Sequence, residues 1–187
     1  MEGNIYSDQR CPVCQGKFRD NGKTGLSCPK HTNIFATRMS VRFKGVHKRF
    51  RSYEEASRFL NGLRFKTDEQ TFDDRDYKKE QPLSFTNMSA KWLETKKGKV
   101  SDGQYGNLWR YIQRASLYFQ HKNVKDIDYG ELEDCLLAQV CISDKTRANM
   151  KSCLHSFFSW LKRRKEINHV PDFPEVSYRL GMRNTTD

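Results

Sequence analysis

The sequence predicts an α+β protein in which a small sheet region precedes a helical region. Three observations predict this class. Four residues of metal-binding type are paired within residues 11–31, apolar residues alternate over residues 35–43, and apolar residues recur at helical spacing over residues 84–167. Period-two alternation indicates a half-buried strand, and spacings of three and four indicate an amphipathic helix. With 187 residues, the chain is long enough for one large domain or for two to three small ones.

Changes in composition along the chain predict five segments. Gly, Cys and basic residues are frequent up to residue 66, a charged stretch, "TDEQTFDDRDYKKEQPL", follows, and the last segment has two prolines and no periodic pattern. A charged, polar stretch that ends near a proline is typical of a linker. We therefore predict a zinc ribbon over 1–33, a sheet with one helix over 34–66, a linker over 67–83, a helical domain over 84–170 and an extended tail over 171–187.

Composition also indicates the class of partner. Lys and Arg number 34 against 23 Asp and Glu, which gives a net charge of +11. This excess favours a polyanion, nucleic acid first and an anionic membrane surface second. No apolar run approaches the roughly 18 residues that cross a bilayer, and the first ten residues lack the apolar stretch of a secretory signal. We expect a cytoplasmic protein with no membrane partner, whose cysteines are thiols or metal ligands.

The N-terminal segment has the spacing of a metal site. Thirteen residues separate a Cys-x2-Cys pair from a Cys-x2-His pair, and each pair fits a turn that directs two side chains at one ion. Gly16 is expected to supply the permissive backbone of the first turn. Four protein ligands leave no position for water, so we predict a structural Zn²⁺ site. The predicted ligands are Cys11, Cys14, Cys28 and His31.

Two alternatives to a zinc ribbon are less favoured by the sequence. Three free thiols and a surface histidine would also satisfy the composition, but paired spacings are the specific form of the metal signal. A DNA-reading finger of the two-Cys two-His kind would need a helix before its histidine, and no helical stretch lies there. The remaining cysteines, Cys135, Cys141 and Cys153, are predicted to be small buried hydrophobic residues.

Residues 35–50 predict a β-hairpin with one basic face. Lys44-Gly45 suits a two-residue turn, which places Phe43 opposite Val46 and fixes the register of the pairs that follow. Arg42 then faces His47, Ser40 faces Arg49, Met39 faces Phe50 and Arg38 faces Arg51. Like charges across a ladder repel by roughly 0.2–1 kcal/mol per pair. A solvated face is the alternative, but no Asp or Glu lies between Phe35 and Tyr53. We predict phosphate binding by Arg38, Ser40, Arg42, Lys44, His47, Arg49 and Arg51.

A helix is predicted to cover the apolar face of this hairpin. Ser52 followed by Glu55 is a capping-box signature, and apolar residues from Tyr53 to Leu63 share one helical stripe. A helix over about 53–65 should therefore pack on the sheet. So small a core is marginal alone, and we expect zinc to supply folding free energy.

The helical region predicts four helices, over about 84–97, 102–121, the stretch "DIDYGELEDCLLAQV", and 144–165. Their aromatic residues have helical spacing and are expected to form core rather than base-stacking platforms. Four cations on these helices are ordinary surface charges taken singly. Together they could line a groove for a duplex backbone: Arg110, Arg114, Arg147 and Lys151.

Three stretches resemble the N-terminal half of a tyrosine recombinase, a lambda-type phage or mobile-element integrase. "SYEEASRFLNGLRF" after the basic hairpin is similar to the helix of the arm-site DNA-binding domain. "TFDDRDYKKEQPLSFTNMSAKWLETKK" is similar to the linker and first helix of the core-binding domain, and "TRANMKSCLHSFFSWLKRRKEI" to its closing helix. The likeness covers about residues 34–178. Many relatives lack the N-terminal ribbon.

The resemblance implies an architecture and a division of labour. The sheet domain would enter the major groove of accessory arm sites, and the helices would form a core-binding (SAM-like) bundle that contacts the site of strand exchange, with self-association on DNA. The family's chemistry belongs to a C-terminal domain with a Tyr nucleophile and a His-x-x-Arg motif, and no His-x-x-Arg occurs in this sequence. We therefore expect a non-catalytic part of an integrase. The alternative is a zinc-dependent protein-interaction or regulatory module.

Overall fold

The computed structural model describes residues 3–140 and 142–176, and the chain divides into two compact units, Met1–Lys79 and Glu80–Asp187. The structure confirms the α+β class, with five α-helices and small antiparallel sheets among the described residues. None of these described helices has the length and apolar character that crossing a membrane requires.

The described residues of the first unit form five short strands, one α-helix and one short 3-10 helix. Strands β1 (Asn4–Tyr6), β4 (Met39–Phe43) and β5 (Val46–Phe50) form an antiparallel sheet in the order β1-β4-β5. Strands β2 (Arg19–Asp20) and β3 (Leu26–Ser27) pair separately.

The register of the β4–β5 hairpin confirms the prediction. Phe43 pairs with Val46 and Arg42 with His47, and the pairing continues to Met39 and Phe50. Both turn residues have positive φ, 39° at Lys44 and 87° at Gly45, as a type I′ turn requires. The predicted Arg38–Arg51 pair is wrong, because the ladder ends one residue earlier on each strand.

Strand β1 corrects the assignment of residues 1–33 to a ribbon alone. Ile5 pairs with Val41 and is buried in the core of the sheet. Three residues with a single buried side chain give too little periodicity for the sequence to indicate a strand. The ribbon and the sheet are also not separate cores, since Cys11, Phe18 and Cys28 belong to the same buried cluster as Val41.

Helix α1 (Tyr53–Asp68) covers the apolar face of the sheet as predicted and runs three residues beyond the expected end at 65. The Ser52 side chain caps it by accepting a hydrogen bond from the backbone N–H of Glu55, at 3.5 Å. Its buried side chains are those of Ala56, Leu60 and Leu63. These side chains form one buried cluster with the apolar side chains of β1, β4 and β5.

The predicted linker over 67–83 is largely structured. After α1 ends, Asp74–Tyr77 forms a short 3-10 helix, and Phe72 and Tyr77 pack against the first core. The Phe72 ring lies 5.4 Å from that of Phe43, and the Tyr77 ring lies 5.8 Å from that of Phe59. The prediction of a linker rested on the composition of the whole stretch, in which charged residues outnumber the two aromatic residues that pack on the core.

The second unit contains four α-helices within its described residues, close to the predicted positions. They are α2 (Phe85–Lys96), α3 (Asp102–Phe119), α4 (Tyr129–Leu137) and α5 (Asp144–Arg163). A side chain caps the N-terminus of each helix, and these caps are, in the same order, Ser84, Ser101, Asp128 and Ser143.

One hydrophobic core joins these helices. Trp92, Phe157 and Phe158 are fully buried in it, which confirms that these aromatic residues are core. Phe173 and Val176 of the predicted tail pack against it without regular secondary structure, and residues 177–187 lie outside the described residues. The arrangement as a core-binding (SAM-like) bundle stays a prediction.

Candidate metal centre and nucleic-acid interface

The four predicted metal ligands come together in the first unit. The ligand atoms of Cys11, Cys14, Cys28 and His31 all lie within 4.8 Å of one another. The sulfurs of Cys14 and Cys28 are 3.5 Å apart, and Nδ1 of His31 lies 3.6 Å from the Cys11 sulfur. Sulfurs around a tetrahedral zinc ion, each at about 2.3 Å, are separated by about 3.8 Å. The cluster therefore has the dimensions and the donor set that zinc accepts.

Backbone turns direct both ligand pairs at the same point. In the first turn, the N–H of Gln15 donates to the carbonyl of Cys11 at 2.9 Å, and the N–H of Cys11 donates to the carbonyl of Gly16 at 3.0 Å. Gln15, with a φ of 56°, adopts the left-handed conformation that was expected at Gly16. Gly16 matters for another reason, because a Cβ there would lie 3.2 Å from the Cys14 sulfur.

The second ligand pair lies on a comparable turn. The N–H of His31 donates to the carbonyl of Cys28 at 3.2 Å, and the N–H of Cys28 donates to the carbonyl of Ile34 at 3.0 Å. Burial raises the pKa of the Cys28 thiol, but hydrogen bonds from the His31 ring, the backbone of Lys30 and the Cys14 thiol outweigh burial and lower this pKa to about 6. The thiolate is the form of cysteine that binds metal.

The cysteines of the second unit differ from the clustered ones. Burial raises the pKa of the Cys135 and Cys153 thiols to about 12, and the charge of Glu131 adds to the rise at Cys135. Both side chains are buried among apolar neighbours, which confirms the prediction for these two residues. Cys141 lies outside the described residues.

The face of the sheet opposite α1 presents the predicted basic residues. Arg42, His47 and Arg49 are exposed there, whereas the small Ser40 side chain is buried beside them. Among the described residues, none of the three exposed side chains forms an ion pair with a carboxylate. We call this surface, with Arg38 and Arg51 just beyond the strand ends, the basic face.

Arg38, Arg49 and Arg51 line a cavity of about 920 Å³ at the open end of the hairpin. Two carboxylates that are distant in the sequence, Asp8 and Glu55, also line it. The segment between Phe35 and Tyr53 has no acidic residue of its own, but two carboxylates lie beside it, Asp8 from the chain after β1 and Glu55 from α1. The cavity retains an excess of positive charge, since Lys48 lines it as well.

Tyr6 is a member of the basic face that the sequence analysis missed. Its hydroxyl lies 2.8 Å from Nε2 of His47, and Nη2 of Arg42 donates to the same hydroxyl at 3.4 Å. The Arg42 guanidinium also lies over the Tyr6 ring, 5.3 Å from its centre. Tyr6 therefore holds two of the predicted DNA-binding side chains in place. Only the pairing of β1 with β4 brings it there, and the sequence carries no signal of that pairing.

Lys44 is placed differently from the other hairpin cations. Its ammonium lies 5.6 Å from the ring centre of Phe43 and 5.9 Å from that of Phe72, two aromatic side chains of the first core. Lys44 is exposed in the turn, but these contacts draw its ammonium toward the side of the sheet that α1 covers.

The four predicted cations of the second unit have three different environments. Arg110 and Arg114 are exposed on α3, and Lys151 is half-buried on α5. Arg147 instead closes the end of α4, where its guanidinium donates to the carbonyls of Leu136 and Gln139, each at 3.1 Å. A structural role accounts for Arg147. Its two carbonyl partners lie at the end of another helix and could not be read from its spacing, and its guanidinium also pairs with Asp144 of the same helix at 2.6 Å.

The metal cluster and the basic face belong to one unit. Comparison of the chain with protein-family models, with curated proteins and with solved structures found no match. The resemblance to tyrosine recombinases therefore stays a prediction, and the geometry of the two sites is the basis for a functional proposal.

Proposed function

We propose that the first unit is a zinc-stabilised module that binds double-stranded DNA sequence-specifically. The observation that carries this proposal is the basic face, where Arg42, His47 and Arg49 are exposed on adjacent strands. Guanidinium groups suit phosphate because their fork of donors matches its oxygens. A duplex backbone would also compensate the repulsion among these side chains.

Zn²⁺ has a structural role in this proposal. Cys11, Cys14, Cys28 and His31 would hold it, and four protein ligands leave no position open for a reacting water. Two of these ligands are buried in the core that also holds Val41 of β4. Metal binding would therefore stabilise the strands that carry the basic face. A hydrolytic zinc enzyme is disfavoured because four protein ligands leave no coordination position for a reacting water.

The second unit has a supporting part in the proposal. Following the resemblance, its four helices would form a core-binding (SAM-like) domain at the core-type site of an integrase, and Arg110, Arg114 and Lys151 would contact phosphates there. The chain would then act in site-specific recombination as a non-catalytic N-terminal part, with arm-type and core-type sites as its DNA and with self-association on that DNA. We assign no catalytic residue.

A second candidate is a zinc-dependent protein-interaction module. Exposed apolar side chains of the second unit favour it, among them Trp109, which is 48% exposed, and Leu117, which is 79% exposed, both on α3. Contacts of this kind depend little on salt, because they neutralise few charges.

Fluorescence anisotropy with a mixed-sequence duplex and with duplexes selected from a random pool tests the proposal. If about six cations contact phosphates, affinity should fall roughly a thousandfold between 50 and 200 mM salt. At a fixed salt concentration, chelation of zinc should weaken binding relative to the zinc-loaded chain. Failure to bind at 50 mM salt would refute DNA binding, and equal affinity for selected and mixed sequences would refute sequence specificity.

A further inference from the structure

The ribbon contributes a second basic surface next to Tyr6 and Arg42. Arg10 and Lys17 pair across an isolated antiparallel bridge at the base of the turn that carries Cys11 and Cys14. Both side chains are exposed, and neither forms an ion pair with a described residue. Two unpaired cations are thus fixed side by side on one short hairpin.

These two cations open into a cleft of about 510 Å³ that they share with the basic face. Its lining includes Tyr6, Asp8, Arg10, Lys17 and Arg42, and Asp8 is the one acidic residue among the lining residues. Three cations outnumber the one carboxylate in this lining, so the cleft favours an anion. Arg42 belongs both to the cleft and to the basic face, which makes the two surfaces continuous.

Hydrogen bonds hold the chain before the ribbon against the start of β4. The Gln9 side-chain oxygen accepts from the N–H groups of Thr37 and Arg38, each at 2.9 Å, and the Ser7 hydroxyl donates to the carbonyl of Arg38 at 2.6 Å. Arg10 directly follows this anchored segment and precedes the ligand Cys11. Its backbone is therefore fixed on both sides relative to the sheet, and binding an anion here requires ordering of side chains but not of the backbone.

We propose that Arg10 and Lys17 bind phosphates of the same DNA duplex that the basic face binds, so that the ribbon is part of the DNA interface as well as a support for the fold. This inference rests on the proposed function. Charge complementarity and continuity with the basic face through Arg42 select the DNA backbone as the occupant of the cleft.

The test compares salt dependence among variants of the full, zinc-loaded chain on one mixed-sequence 20-base-pair duplex. The variants are Arg10→Gln/Lys17→Gln in the cleft and Arg42→Gln/Arg49→Gln on the basic face. The control, Lys23→Gln/Arg58→Gln, removes the same charge from exposed positions that line neither cavity. Zinc content and circular dichroism establish that each variant is folded.

Loss of two phosphate contacts should make the slope of log affinity against log salt shallower by about 1.8, so that affinity falls about twelvefold less between 50 and 200 mM salt. We expect this change for the cleft variant and an unchanged slope for the control. The swap Arg10→Lys/Lys17→Arg keeps both charges and should keep the slope.

A cleft variant whose slope equals that of the control would overturn the inference. If the basic-face variant still weakened binding, the proposed function would survive that result. Absence of duplex binding by the wild-type chain would overturn both the inference and the proposed function. If the swap Arg10→Lys/Lys17→Arg made the slope shallower although it keeps both charges, the assignment of these residues to phosphates would be overturned.

Discussion

At the scale of single residues, Tyr6 determines how the basic face is presented. Its hydroxyl accepts from Arg42 and is hydrogen-bonded to His47, and its ring lies beneath the Arg42 guanidinium. These contacts restrict side chains that would otherwise sample many rotamers. A restricted guanidinium loses less entropy when it binds a phosphate or a base edge.

Replacing Arg42 or Arg49 by alanine should weaken duplex binding. Each loss should cost about 1 kcal/mol or more if the side chain contacts DNA. Arg58→Ala is the matched control, because Arg58 is exposed on α1 and pairs with Glu54 at 3.3 Å. Anisotropy titrations at 100 mM salt measure the difference. Unchanged affinity for both Arg42→Ala and Arg49→Ala would show that DNA does not bind at the basic face.

Tyr53 connects α1 to the ribbon through a hydrogen bond. Its hydroxyl donates to Oδ1 of Asp20 at 2.6 Å, and burial, followed by this hydrogen bond and the charge of Asp20, raises the pKa of Tyr53 from 10.0 to about 12. Tyr53→Phe should lower the free energy of unfolding by about 1 kcal/mol at pH 8.

The same hydrogen bond should respond to alkaline pH. Because the pKa is higher in the folded state, the contribution of Tyr53 is complete below pH 10 and is lost as pH rises from 10.0 to about 12. Urea unfolding at pH 8 and pH 11 measures this directly. A difference between wild type and Tyr53→Phe that stayed constant over that interval would contradict the assignment.

At the scale of elements, β1 depends on a glycine that precedes it. A Cβ on Gly3 would lie 2.5 Å from Cδ2 of Phe43 and 2.8 Å from the carbonyl oxygen of Arg42. The first strand can therefore reach β4 only because this position has no side chain. Gly62, in the interior of α1, has no atom within 4 Å of a Cβ placed there.

These two glycines should respond to alanine with opposite signs. Gly3→Ala should destabilise the first unit by about 1–3 kcal/mol, because backbone and core atoms would have to move. Gly62→Ala should stabilise it by about 0.5–1 kcal/mol through helix propensity. Hydrogen exchange of residues 39–50, followed by mass spectrometry, compares the two variants. Equal protection in both would show that β1 does not pack as described.

The elements also show where sequence pattern suffices and where it fails. Alternation and Lys44-Gly45 predict the β4–β5 register, because both are local signals. The spacing of Cys11 to His31 predicts the metal ligands for the same reason. The contacts of Tyr6 with Arg42 and His47, and those of Arg147 with the carbonyls of Leu136 and Gln139, join elements that only tertiary structure brings together. No local pattern records those partners, so their roles required the fold.

At the scale of the whole molecule, the two units have separate cores, and the metal ligands and the tryptophans lie in different units. The metal cluster lies in the first unit, whereas Trp92, Trp109 and Trp160 all lie in the second. Tryptophan fluorescence therefore reports on the unit without the metal site. This distribution allows each core to be followed independently.

Cys14→Ser, or chelation of zinc, should unfold the first unit and spare the second. Metal-site binding energy is folding energy for a core this small. We expect loss of hydrogen-exchange protection in residues 39–50, unchanged tryptophan emission, and a helical circular dichroism signal that falls only by the contribution of α1. Cys153→Ser, at a buried thiol of the second unit, is the reciprocal control. Simultaneous loss of both signals on chelation would refute independent cores.

Strand β5 is an edge strand, since the sheet order is β1-β4-β5. An unpaired strand edge is a template on which another chain can add, and charged side chains along it prevent that addition. The exposed run His47, Lys48 and Arg49 occupies the middle of this edge. The proposed DNA contacts His47 and Arg49, together with Lys48, therefore also protect the free protein from edge-to-edge aggregation, and replacing the cations of this run by neutral residues should lower solubility as well as affinity.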